Sequence, residues 1–185
     1  MTIEEAQYEV QSVYIGGYPG AIVSGLLWMA SASMATWSSP KLGMWFLILG
    51  GTFIFPVTQL ILRLGGRPAS LSGENPLRYL AMQIAFTIPL TIPIAGAAAL
   101  HRAEWFFPAM LLIVGAHYLP FVFLYGMRVY AVLCAAMVAS GLAIALYLPH
   151  APAGAGGWVG ASIEIAFGTA GLMLSAGRRP SPSPA

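Results

Sequence analysis

Glu164 stands in ASIEIAFG, a single acid in an apolar run near the end of the chain. A carboxyl group in hydrocarbon costs about 2.5 to 3.5 kcal/mol on insertion scales, and such residues usually face the bundle interior or water and mark ion or proton pathways. His117 and Tyr118 lie in a second such run, GAHYLPFVFLYG, where they bring an imidazole and a phenol close to Pro120. Proline has no N–H, so the carbonyl of Ala116 loses its helical partner and the chain can kink beside the histidine. A third run, TIPLTIPI, sets Thr87 and Thr91 on one helical face and frees further carbonyls through Pro89 and Pro93. Gln59 and Gln83 complete the polar set, at similar depths near the inner surface that allow a hydrogen bond between them.

These groups sketch a polar seam with Pro120, Pro89 and Pro93 as hinges. On one reading the seam conducts or exchanges a proton, ion or small solute, with Glu164 as the titratable group. On the other it is a set of interhelical hydrogen bonds, worth about 0.6 kcal/mol each, that hold helices together. Counted at 1.5 Å per residue from the outer helix ends, His117 lies about 9 Å deeper than Glu164, so contact between them would need a water or Thr52 in between. Gly157, Gly160, Gly168 and Gly171 share the face of Glu164 and predict a groove for a close-packed neighbour, for which Ala135, Ala139 and Ala143 offer an opposing stripe. Glu164 is therefore expected to face protein.

Other chemistries fit less well. His101, Glu104 and His150 fall on outer loops without the spacing of a metal site, so no metal or cofactor is expected. Ser24 and Ser140 each precede a glycine but lack the Gly-x-Ser-Gly context of an intramembrane serine protease. A haem would want paired histidines at matched depth, and His117 has no such mate. Cys134 is the single cysteine and reads as a small apolar residue. Eight scattered Lys and Arg residues make no basic stripe, which excludes nucleic acid.

The elements that carry these residues follow from composition. The 185 residues are 58% hydrophobic and 8% charged, with a mean hydropathy of +0.78, whereas soluble domains carry about 25% charged residues. A helix needs about 20 apolar residues to cross a bilayer, and six segments approach this: 20–37, 43–63, 77–100, 105–126, 129–148 and 158–177. The fold class is all-α, a polytopic six-span bundle over residues 20–177. The spans pair as three hairpins; Ser-Gly-Leu recurs at residues 24–26 and 140–142, although interfacial tryptophans and inside arginines repeat in any even-numbered bundle. Residues 1–19 form an amphipathic cytoplasmic segment, opened by a Thr2/Glu5 capping box and carrying Ile3, Ala6, Val10 and Val13 on one face. Its three glutamates point to the protein's own arginine-rich inner face as its neighbour. The start has no basic region of the signal-peptide kind. Residues 178–185 read as a disordered tail.

With six spans, Arg63, Arg67, Arg78, Arg128, Arg178 and Arg179 share the side of both termini, against Lys41 and Arg102 opposite. That asymmetry puts the termini in the cytoplasm. The acidic start followed by Lys41 argues the other way for the first span alone.

GGYPGAIVSGLLW together with GAHYLPFVFLYGMR resembles a family of small bacterial membrane proteins of unknown function, with a likeness over nearly the whole chain. The resemblance implies a multi-pass location in the bacterial cytoplasmic membrane and a six-helix architecture, and it assigns no catalytic residue. The expected partners are the lipid bilayer, a second copy in a homo-oligomer, and a small solute or proton. The alternative is a non-transporting membrane interaction or stress-response protein whose seam only packs helices.

Overall fold

The computed structural model describes residues 1–148 and 150–176, all helix and turn with no strand among them. The predicted tail 178–185, the end of the predicted sixth span and Arg178 and Arg179 lie outside the described residues. The helices are α1 Ile3–Tyr14, α2 Tyr18–Trp37, α3 Pro40–Gly51, α4 Ile54–Leu64, α5 Leu77–His101, α6 Phe106–Tyr118, α7 Phe121–Leu124, α8 Val129–Tyr147 and α9 Ala155–Ala176.

Five helical runs are long and apolar enough to cross a membrane: Ile3–Trp37, Leu77–His101, Ala103–Leu124, Val129–Tyr147 and Ala155–Ser175. The segment expected to be one continuous second span is instead the pair α3 and α4, bent by 52°. A sixth crossing exists only if that pair counts as one span. The break follows from sequence: Gly50 and Gly51 weaken the helix, and Pro56 removes the N–H that would have bonded the Thr52 carbonyl. The predicted fourth span is one run, Ala103–Leu124, in which turn residues Leu119 and Pro120 stand between α6 and the single turn α7. By contrast, α5 runs unbroken through Pro89 and Pro93.

The α2 helix is the centre of the bundle and packs along α9, α3 and α4. Its crossings are built on small residues. A Cβ at Gly25 would come within 3.0 Å of the Ile165 backbone nitrogen, and one at Gly43 within 2.7 Å of the Ser31 carbonyl. Ser31, fully buried, donates across that second crossing to the Gly43 carbonyl at 2.7 Å. The glycine face of α9 meets α2: Gly160 lies on the Trp28 ring, Gly157 on Ala32, and Gly168 on Ile22. The expected partner stripe on α8 is corrected accordingly. Ala135, Ala139 and Ala143 are exposed, and α8 packs on α6 through Leu133, Met137 and Gly141. Helical spacing identifies which face is smooth, but it does not say which neighbour fills it.

Thr2 and Glu5 form the expected capping box on α1. Ala6, Val10 and Val13 are buried, whereas Ile3, on the same predicted face, is half exposed. The turn from α1 to α2 passes through Ile15, Gly16 and Gly17, all at positive φ; glycine takes that conformation without steric cost.

Candidate functional site

Glu164 is fully buried on α9, facing α2 and α6. The Tyr118 hydroxyl, from the last residue of α6, donates to Glu164 Oε1 at 2.8 Å. The Ser24 hydroxyl on α2 lies against both the carboxyl and the phenol. Glu164 Oε2 is sealed from solvent and has no hydrogen-bond partner. Three helices thus meet at one carboxyl group whose second oxygen is unanswered, in a region where buried polar atoms are nearly always paired.

A tyrosine cluster extends from this point toward the α1–α2 turn. Tyr118 stacks on Tyr130 at 6.1 Å and Tyr130 on Tyr125 at 5.2 Å, with Phe121 edge-on to Tyr130 and Phe167 tilted against it. The Tyr130 hydroxyl donates to the Gly16 carbonyl at 2.5 Å. Gly17 is the floor of the cluster, since a Cβ there would meet the Tyr130 hydroxyl and lie 3.0 Å from that of Tyr125. Ser24 and Tyr130 carry no motif. The signals in sequence are a serine before Gly25 and a tyrosine in an apolar run, and both are too common to single them out.

The predicted seam resolves into separate sites. His117, one residue before Tyr118, turns to α5, where its Nδ1 lies 2.8 Å from the Thr87 hydroxyl. Thr87 in turn donates to the Ile84 carbonyl at 2.7 Å, and Thr91 donates to the Thr87 carbonyl at 2.7 Å. Among the described residues no hydrogen bond joins this set to Glu164; the link is the His117 ring, edge-on to Tyr118 at 5.8 Å, and Thr52 bonds the Leu49 carbonyl of its own helix. The expected pairing of Gln59 with Gln83 does not form. Gln59 lies against the Tyr14 hydroxyl of α1, and Gln83 is exposed on the outer face of α5. The α4 helix, which carries Gln59, packs on α2 and not along α5. Pro120 sits at the helix break beside His117, whereas Pro89 and Pro93 are exposed within α5.

The amino-terminal helix closes the end of the bundle where the tyrosines lie. Gln7 and Gln11 donate to the carbonyls of Phe123 and Tyr125, both at 2.6 Å. Arg67 donates to the Ser12 carbonyl at 2.6 Å. Glu9 accepts from the Ser72 backbone N–H at 2.5 Å, from Asn75 Nδ2 at 2.9 Å and from the Ser72 hydroxyl at 3.0 Å. These bonds favour the ionised form, with the Ser72 N–H first and Asn75 next, and hold the Glu9 carboxyl below its usual value. Asn75 is itself fully buried and also bonds the Ala6 carbonyl and the Leu77 N–H, so α1 is pinned through one side chain to the start of α5. The neighbour of α1 is thus mainly a polar loop, with one arginine contact.

Two grooves open on the bundle surface. One, of about 500 Å³ between α2 and the bent pair, is lined by apolar residues such as Leu27, Trp45 and Phe53. The other, of about 350 Å³ between α5 and α6, is lined by Thr87, Thr91, Leu112, Ile113, Ala116, His117 and Pro120. Glu164 lines neither.

A family model described as a family of unknown function (DUF7010) matches residues 3–173, and the chain belongs to that family. No curated protein and no solved structure matches the chain.

Proposed function

From membership of a family of unknown function and a bundle with several membrane-length helices, we propose that the chain is a multi-pass protein of the bacterial cytoplasmic membrane that exchanges a proton or small solute at Glu164. It crosses six times, with α3 and α4 as one bent crossing, and both termini are cytoplasmic on the strength of the arginines at residues 63, 67, 78 and 128. One observation carries the reading: a fully buried carboxyl group with one oxygen bonded to Tyr118 and the other unpartnered. An unsatisfied buried polar atom costs about 1 to 3 kcal/mol, and a leucine of similar size would avoid that cost. Glu164 therefore spends stability that packing alone does not require. Tyr118 lies two residues before Pro120, so movement at the α6–α7 break would shift the group that holds the carboxyl.

The test is flux. In proteoliposomes carrying a pH dye and subjected to a pH step, the wild-type chain should move protons and Glu164→Gln should not, with both proteins melting at similar temperatures. Equal flux from the two rejects the reading.

The sealed position of Glu164, outside both surface grooves, favours a second reading, a non-transporting membrane protein in which the Glu164–Tyr118 bond only joins α9 to α6. On that reading neither protein conducts, and a partner co-purifies equally with wild type and Glu164→Gln.

A further inference from the structure

His117 belongs to neither reading above, and its hydrogen bonds fix its chemistry. The Thr87 hydroxyl carries one proton, which it donates to the Ile84 carbonyl at 2.7 Å. Toward His117 Nδ1, 2.8 Å away, the same oxygen can therefore only accept. The Ile84 carbonyl, which also faces the imidazole, can only accept as well. On this geometry we assign the proton of the neutral ring to Nδ1, which leaves a lone pair on Nε2. Nε2 bonds no group among the described residues, yet it is not among the sealed polar atoms. His117 lines the groove between α5 and α6, whose other walls include Leu112, Ile113, Ala116 and Pro120, with the Thr91 hydroxyl already bonded within its own helix.

We propose that this groove is a binding site for a hydroxyl-headed molecule dissolved in the membrane, of the alkylphenol or quinol class, whose O–H donates to His117 Nε2. Three features select that class. The site presents one acceptor and no free donor, so a ligand whose polar atom is a bare ether or carbonyl oxygen gains nothing from it. The remaining walls are apolar and the volume, about 350 Å³, falls in the range that holds small molecules. His117 is twelve residues along from Trp105, about 18 Å into the membrane at 1.5 Å per residue, beyond the reach of phospholipid headgroups at either surface of a core about 30 Å thick. The occupant must therefore dissolve in the hydrocarbon and bring its hydroxyl with it. A buried acceptor left without a donor is unfavourable, and the same lone pair in lipid makes the donor's hydrogen bond strong.

The test is nitrogen NMR of ¹⁵N-histidine-labelled protein in phosphatidylcholine nanodiscs, with the His117 signals assigned by their loss in His117→Asn. Without additive, Nδ1 should appear protonated and Nε2 unprotonated. Adding 4-decylphenol should shift Nε2 toward its hydrogen-bonded position in a saturable way, whereas 4-decylanisole, the same shape with its proton methylated, should leave it in place. Ala116→Phe places a ring in the groove from an exposed position and should weaken the phenol titration at least tenfold without changing the tautomer. A proton on Nε2 in the unliganded protein, an equal response to phenol and anisole, or an unaffected titration in Ala116→Phe would each overturn the proposal.

Discussion

His117 and Tyr118 are neighbours in sequence, and they serve two different environments. Successive residues on a helix point about 100° apart, so the phenol enters the sealed junction of α2, α6 and α9, while the imidazole reaches α5 and an open groove. The junction is closed by glycines that let backbones touch, and it traps a carboxyl group that meets Tyr118 and Ser24 and leaves one oxygen, Oε2, unanswered. The groove has no such closure, and its histidine meets the Thr87 hydroxyl and lines an open surface. Depth in the bilayer alone does not determine what a polar residue does. What decides it is whether the neighbouring helix comes close enough to exclude every other partner.

The largest effect should come from breaking the closure of the first region. Gly25→Val sets a branched side chain against the Ile165 backbone, and overpacking of this kind costs about 1 to 3 kcal/mol or more; a thermal melt in detergent should fall sharply or show no folded protein. Gly96 has open space around it, so Gly96→Ala should leave the melt unchanged or raise it. Similar losses for both would mean that close approach is not what holds the junction.

Removing the hydrogen bond without removing the ring comes next. Tyr118→Phe keeps the stacking on Tyr130 and deletes the bond to Glu164, for an expected loss of about 0.6 kcal/mol, the mean for intramembrane hydrogen bonds. Steric trapping in bicelles measures it, and no change would make the contact incidental.

A smaller, pH-dependent effect is expected at the latch made by α1. The Glu9 carboxyl is held below its usual value by the Ser72 N–H and the Asn75 amide, so folding favours its ionised form. The stabilisation is complete at neutral pH, above the unfolded-state value, and is lost as pH falls through the depressed folded-state value. Amide exchange in residues 65–76, corrected for its intrinsic pH dependence, should accelerate on acidification, and Glu9→Gln should flatten the response. The smallest effect belongs to Gln83, which is exposed on α5: Gln83→Leu should fall within about 0.5 kcal/mol of wild type, whereas a larger destabilisation would give this side chain a partner the structure lacks.

Much of the architecture is legible in composition and spacing. Apolar length marks the helices, the Thr2/Glu5 pair marks the start of α1, and the four glycines of α9 mark a face suited to close packing. Three features were not recoverable in this way. The partner of the glycine face was read as α8 and is α2, because periodicity describes one helix at a time. The bend at Thr52 and Phe53 had its signal in Gly50, Gly51 and Pro56, which a hydropathy window averages away. Depth alone does not pair residues: Gln59 and Gln83 stand on α4 and α5, which do not pack along each other. Tyr118 and His117 could be placed beside a polar site from sequence, but not assigned to different neighbouring helices, since that requires knowing where α5 and α9 lie.

The most direct test of the account is the state of the Glu164 carboxyl itself. Infrared difference spectra of the protein in membranes, taken across a pH titration in H₂O and D₂O, should contain a carboxylic C=O band that titrates, shifts on deuteration, moves in Tyr118→Phe and vanishes in Glu164→Gln. If no band that depends on Glu164 changes between acid and alkaline buffer, the group never trades its proton with water, and the exchange assigned to it does not occur.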